Sequence, residues 1–287
     1  MTERILADLA DKTLLLLGCG NMGGALLRGW LGSGCAAERI TVVEPTWRNG
    51  SERRFEGAAL RWAERLDQAT GPERASTKAD AIIIAVKPNA VGEALASLQA
   101  AGALDWGAVV ISVAAGVTLE TLAMDRPGLA VVRAMPNTPA AVGAGVTALV
   151  ANDAVSARQR DLAEALSAAT GAAVWLDDET QMDAVTAVSG SGPAYVFHMI
   201  EALTAAAEAE GLPAPLAGRL ARATVIGAGA LAASQGEPAE VLRRNVTSPG
   251  GTTEAGLAVL MGEEALTNLM RQTVAAAAAR SRALAKS

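Results

Sequence analysis

The stretch Leu14-Leu-Leu-Leu-Gly18-Cys-Gly20-Asn-Met-Gly23 places G-x-G-x-x-G directly after an apolar run and before a helical pattern. In that context the three glycines do different things. Gly18 permits a tight turn, Gly20 lets backbone approach a pyrophosphate, and Gly23 lets helix and strand pack closely. The helix start then offers exposed N–H groups and a positive dipole end to phosphate. Leu17, Gly18, Cys19, Gly20, Asn21 and Met22 are therefore candidate contacts to a dinucleotide. Glu44 closes the next β-branched run, where an acid accepts hydrogen bonds from ribose hydroxyls and favours NADH. Arg48 follows closely, and an arginine there can pair with a 2′-phosphate, so NADPH stays open. Arg48, like Arg53 and Arg54, equally suits a solvated helix face.

Further polar groups stand at the ends of later apolar runs. Ala85-Val86-Lys87-Pro88 with Asn89 follows one such run, Val113-Ala114-Ala115-Gly116 another, and Arg133-Ala-Met-Pro-Asn137-Thr138 a third. In a parallel sheet these ends share one crevice, although each is also an ordinary βα turn. Asn245-Val-Thr247-Ser248-Pro249-Gly250-Gly251-Thr252-Thr253 is dense in hydroxyls and glycines and leads into helical spacing at Glu254. By itself it is either a capped helix junction or an anion site.

Such residues need a scaffold. Up to about residue 176, short apolar runs alternate with helical stretches, the signature of βαβ units. The expected strands are 13–17, 40–44, 81–86, 108–113, 129–134, 146–150 and 173–176. The runs at 81–86 and 108–113 are apolar throughout, as in strands covered by helices on both faces. After Asp177-Asp178 the pattern becomes helical, punctuated by Gly-Ser-Gly-Pro at 190–193, Gly211-Leu-Pro213, Gly236-Glu-Pro238 and Ser248-Pro-Gly-Gly251. The fold expected is an α/β Rossmann-type domain with a mainly parallel sheet over 1–177, followed by an all-α domain over 178–287. The helix from Ala194 to Glu210 is apolar on more than one side near its start, which calls for burial against a second copy.

Composition narrows the class. The 287 residues are 51% hydrophobic and 3% aromatic, so the cores are built from small aliphatic side chains. A net charge of −6 gives no general attraction to nucleic acid or anionic lipid, and neither partner is expected. Gly, Arg or Glu interrupts each apolar window short of a bilayer span. Cys19 and Cys35 form no C-x-x-C pair, and the Met-Thr-Glu-Arg start carries no secretory pattern, so a reducing cytoplasm is expected. His198, the single histidine, lies in Tyr195-Val-Phe-His-Met-Ile, which reads as a buried helix, and is expected in a core or interface. It has no ligand cluster around it, so no metal is expected.

The 245–253 segment, with Ala184-Val-Thr-Ala-Val-Ser-Gly-Ser-Gly-Pro-Ala-Tyr195, Ala85-Val-Lys-Pro88 and Met135-Pro-Asn-Thr-Pro139, resembles the pyrroline-5-carboxylate reductase family in order along essentially the whole chain. The resemblance implies hydride transfer from NADPH or NADH to C5 of the cyclic imine pyrroline-5-carboxylate, giving L-proline. It also implies a homodimer with interleaved helical domains, or a larger assembly of dimers. By carry-over, Thr253 hydrogen-bonds the ring nitrogen as the catalytic group. Ser248, Gly250, Gly251, Thr252 and Thr253 hold the substrate. Leu17 to Met22, Glu44, Ala85, Val86, Lys87, Pro88, Val113, Ala114 and Ala115 contact the dinucleotide. A β-hydroxyacid dehydrogenase would generally place a lysine in the helical part, and 178–280 contains none. A serine hydrolase lacks its G-x-S-x-G and a free histidine. A sensor that binds nucleotide without turnover has no need of the second anion segment.

Overall fold

The computed structural model describes residues 9–46, 50, 52–70 and 78–284. Eight strands form one sheet: β1 (Leu14–Leu17), β2 (Ile40–Val43), β3 (Arg61–Ala63), β4 (Ala81–Ile84), β5 (Val109–Ser112), β6 (Val131–Met135), β7 (Gly145–Ala151) and β8 (Gly171–Trp175). Their order is β3-β2-β1-β4-β5-β6-β7-β8, all neighbours parallel except β6 and β7. The sheet therefore has the mainly parallel Rossmann character expected. β3 is an addition to the expected strands; it is three residues long, its first residue is exposed, and Arg-Trp-Ala carries no alternation to read.

Strand alternation explains why these runs are apolar throughout. Leu14, Leu16, Ile83, Val109 and Ile111 enter one buried cluster, while Leu15, Leu17, Ile82, Ile84 and Val110 enter the other on the opposite face. Helices cover both: α1 (Asn21–Gly32), α2 (Leu66–Thr70), α3 (Val91–Ala100), α4 (Leu119–Ala123) and α5 (Ala157–Ala168). Trp30 of α1 is the bulkiest fully buried side chain, and its indole N–H donates to the Leu166 carbonyl at 2.9 Å. Burying that ring therefore leaves no polar atom unsatisfied.

Beyond β8 the chain is helical: α6 (Met182–Val185), a π-helical turn over Thr186–Gly190, then α7 (Gly192–Ala209), α8 (Ala214–Gln235), α9 (Ala239–Asn245), α10 (Thr252–Met261) and α11 (Ala265–Leu284). Two compact units result. One runs to Gly190 and takes back the chain from Ala278; the other is Ser191–Ala277. The helical segment 178–190 thus packs with the sheet, since Met182 is buried with Ala148 and Val150. The segment from Ala278 is tied to it by the Ser281 hydroxyl, which donates to the Asp183 carboxylate at 2.6 Å.

In the second unit α7 packs on α8, where Ala217 and Ala221 are buried and small side chains let the helices approach closely. Their other faces stay open within one chain, with Phe197 61% and Ile226 63% exposed. One expectation is narrowed here and another corrected. Of the core or interface expected for His198, the core of the single chain is excluded: its side chain is 80% exposed and its Nδ1 lies 3.0 Å from Glu201. And α8 is long and apolar enough, by length and composition, to cross a membrane. It runs straight through Gly227 and Gly229, because an isolated helical glycine costs only about 1 kcal/mol and does not end a helix.

Candidate functional site

The sheet order reverses between β1 and β4, so the crevice at their carboxyl ends is the topological switch point where open α/β sheets bind ligands. The chain leaves β1 through Gly18, whose φ of +90° is a left-handed conformation suited to glycine. A Cβ there would also lie 2.8 Å from the Ala85 carbonyl oxygen. A Cβ on Gly23 would meet the Gly18 carbonyl oxygen at 2.2 Å, so this glycine is needed for the loop to fold back on the helix. Gly20 differs: a Cβ there would meet nothing within 4 Å. It is exposed at the N-cap of α1, with no side-chain cap and no acid in the first turn. Packing does not require glycine at 20, and the open, uncapped helix start fits a pyrophosphate.

Two side chains brace this loop at the same residue. Glu44, just past β2, accepts the Cys19 N–H at 2.8 Å through Oε2. Through Oε1 it accepts the Thr46 N–H at 3.2 Å and the Thr46 hydroxyl at 2.9 Å. Arg54 donates to the Cys19 carbonyl at 2.8 Å. Among the remaining arginines of this region, Arg48 and the side chain of Arg53 lie outside the described residues. The Cys19 thiol is fully buried, and burial pushes it up to about 11, with nearby Arg54 opposing the shift and Glu44 adding to it. It is a packing group rather than a nucleophile.

The other candidate dinucleotide contacts gather at neighbouring strand ends. Ala85 follows β4, its N–H bonded to the Leu17 carbonyl at 2.8 Å, and Val86, Lys87 and Pro88 continue outward into exposure. Val113, Ala114 and Ala115 follow β5; the Ala114 N–H reaches the buried Ser112 hydroxyl at 3.3 Å. The β6 end behaves otherwise. Arg133, 7% exposed, donates to Glu179 Oε1 at 2.7 Å, and the same oxygen accepts the Leu119 N–H at 2.9 Å. Asn137 accepts the Val146 N–H at 2.9 Å and donates to the Ser189 carbonyl at 3.2 Å. These groups tie the start of β7 and the 179–189 segment to the sheet.

In the helical unit, Gly251 is the N-cap of α10, and Thr252, Thr253 and Glu254 form its first turn. Gly250 turns the chain with φ +68°, and its N–H is held by the Glu254 carboxylate at 2.7 Å. The Gly251 N–H returns to the Ser248 carbonyl at 3.0 Å. Among the described residues the side chains of Ser248, Thr252 and Thr253 make no hydrogen bond, and all three are exposed. Three hydroxyls thus surround an uncapped helix start.

Comparison with known proteins bears on both units. A family model described as pyrroline-5-carboxylate reductase dimerisation matches residues 179–284, and one described as NADP oxidoreductase, coenzyme F420-dependent, matches 13–116. The pyrroline-5-carboxylate reductase of Pseudomonas aeruginosa is 42% identical over 285 residues, covering 97% of this chain and 98% of its own. Among solved structures, a pyrroline-5-carboxylate reductase from Coxiella burnetii superposes with a TM-score of 0.86 at 34% identity, covering 95% of this chain and 98% of that one. A Plasmodium falciparum pyrroline carboxylate reductase with NADP bound gives 0.77 at 27%, covering 96% and 99%. The glycine loop after β1, the hydroxyl-rich start of α10 and a relationship that spans both ends of the molecule agree, and the chain belongs to the pyrroline-5-carboxylate reductase family.

Proposed function

We propose that this chain reduces L-1-pyrroline-5-carboxylate to L-proline, with Leu17 to Met22, Ala85 to Pro88 and Val113 to Ala115 forming the dinucleotide site. The helical region 178–287 supplies the substrate site at Ser248 to Thr253. The observation that carries this reading is the presence, in one chain, of an open helix start at Gly20 and of hydroxyls at Ser248, Thr252 and Thr253 that have no partner among the described residues. NADPH or NADH supplies the hydride that adds to C5. The chain's own part is positioning: backbone N–H groups at the start of α10 hold the substrate carboxylate, and the Thr253 hydroxyl hydrogen-bonds the ring nitrogen. An imine that is already protonated needs no strong protein acid, and fixing the reacting atoms at about 3–3.5 Å supplies several kcal/mol of the acceleration.

The exposed apolar faces of α7, α8 and α10, with Val259 76% exposed, support a homodimer whose helical regions cover one another, rather than insertion of α8 into lipid. Two unpaired thiols and an acidic surface support a cytoplasmic setting. The test is nicotinamide absorbance during incubation with pyrroline-5-carboxylate and each cofactor, with proline quantified and the solution mass measured by light scattering. Cofactor oxidation matched by proline from a dimer is expected. Cofactor binding without turnover would overturn the activity, and a monomeric mass would overturn the assembly.

A further inference from the structure

The loop's cofactor edge carries an acid and a base on the same residue, and their hydrogen bonds tell them apart. Glu44 occupies the position from which an acid accepts both hydroxyls of an adenosine ribose. A carboxylate offers about four lone-pair directions. Three are taken here, by the Cys19 N–H at 2.8 Å, the Thr46 N–H at 3.2 Å and the Thr46 hydroxyl at 2.9 Å. A diol brings two donors, so accepting it would release a bond that holds the glycine loop. Glu44 is spent on the protein.

Arg54 acts on the other end of the same residue, donating to the Cys19 carbonyl at 2.8 Å. Its second terminal nitrogen is 3.5 Å from where a Cβ on Gly24 would stand, so the guanidinium lies across the first turn of α1. The arginine is exposed, and a guanidinium carries its donors in a fixed planar fork. A planar guanidinium there matches a phosphate ester far better than a neutral hydroxyl.

We propose that Arg54 reads the 2′-phosphate and sets a preference for NADPH over NADH, while Glu44 is a positioning residue that locks the glycine loop. This rests on the reading that the loop takes a dinucleotide. Sequence alone points to Arg48 for such a role and groups Arg54 with the solvated arginines; the contact with Cys19 singles Arg54 out.

Calorimetric titration of the full chain with NADPH and with NADH tests it. Wild type binds NADPH the tighter. Arg54→Gln lowers NADPH affinity by about 10- to 100-fold, the worth of a charge-assisted pair, and NADH affinity by no more than about 3-fold. Arg54→Lys, which keeps the charge without the fork, falls between. Glu44→Gln weakens NADH and its 2′-deoxyadenosine analogue alike. Equal losses for both cofactors in Arg54→Gln would make the arginine a loop brace only and overturn the proposal, as would no loss at all. A loss confined to NADH and not its deoxy analogue in Glu44→Gln would make Glu44 the ribose ligand and overturn its positioning role. Wild type binding neither cofactor would overturn the dinucleotide reading itself, and the proposal with it.

Discussion

Two single-methyl additions separate a glycine kept for the ligand from a glycine kept for the fold. Gly20→Ala places its Cβ where no atom lies within 4 Å, at φ −68° and ψ −152°, an extended backbone open to alanine. Alanine is a poorer N-cap than glycine by some tenths of a kcal/mol, and loses about 0.4–1 kcal/mol less unfolded-state entropy, so stability changes by less than about 1 kcal/mol. That corresponds to a thermal midpoint within about 4 °C of wild type for a chain of this size. Dinucleotide affinity falls much further. If the methyl displaces the pyrophosphate from one backbone N–H group, at about 1.5–3 kcal/mol, binding weakens by about 10- to 150-fold.

Gly23→Ala reverses the pattern: its Cβ would overlap the Gly18 carbonyl oxygen at 2.2 Å. Helix and loop must then part, which costs about 1–3 kcal/mol and lowers the midpoint without any ligand present. Thermal unfolding of the cofactor-free protein, paired with NADPH titration, measures both. Gly20→Ala binding NADPH as wild type does would refute a pyrophosphate at this helix start. An unchanged midpoint for Gly23→Ala would refute the packing role given to that glycine.

Thr253→Ala should lower turnover by about 10- to 1000-fold in the steady-state assay while leaving the urea midpoint unchanged, since the side chain is exposed; wild-type turnover would remove Thr253 from the chemistry. Glu179→Ala should destabilise by about 2–4 kcal/mol, because it strands the buried Arg133 and frees the Leu119 N–H. A loss below about 1 kcal/mol in urea unfolding would show that water satisfies Arg133 instead. Burial pushes both thiols from 9.0 to about 11, so neither should react with a thiol reagent at pH 8 until denaturant is added. The folded thiols also hold protons that the unfolded ones release in that range, so stability should fall as the pH rises from 9 towards 11. A urea midpoint that is flat across that window would contradict this.

Local pattern makes most of the sheet legible. The runs at 81–86 and 108–113 are apolar throughout because adjacent residues such as Ile82 and Ile83 belong to different cores, and that is visible without any partner strand. The glycine loop is legible for the same reason: strand, turn and helix are contiguous. What escapes depends on distant contacts. β3 exists because β2 offers it an edge. Arg54 matters because its side chain spans 35 positions to Cys19, and nothing in Glu-Arg-Arg-Phe marks which arginine will reach. Asn137, which reads as a crevice group, is consumed by Val146 and Ser189, whose approach needs the reversal at β7. The neighbours of His198 suggest an interior, but polarity alone cannot separate a chain's own core from a surface that a second copy covers.

The return of the chain at Ala278 bears on how the molecule is made. Asp183 gains its Ser281 partner only from residues synthesised after the whole 191–277 unit has been extruded. A ribosome from which α6 has just emerged holds a sheet still missing its last helical turns, with Met182 already in place over Ala148 and Val150. Folding that proceeds unit by unit from the amino end would therefore leave the first unit unsealed while the apolar helices of the second emerge beside it. The interval in which both are incomplete is when this chain is most exposed to aggregation.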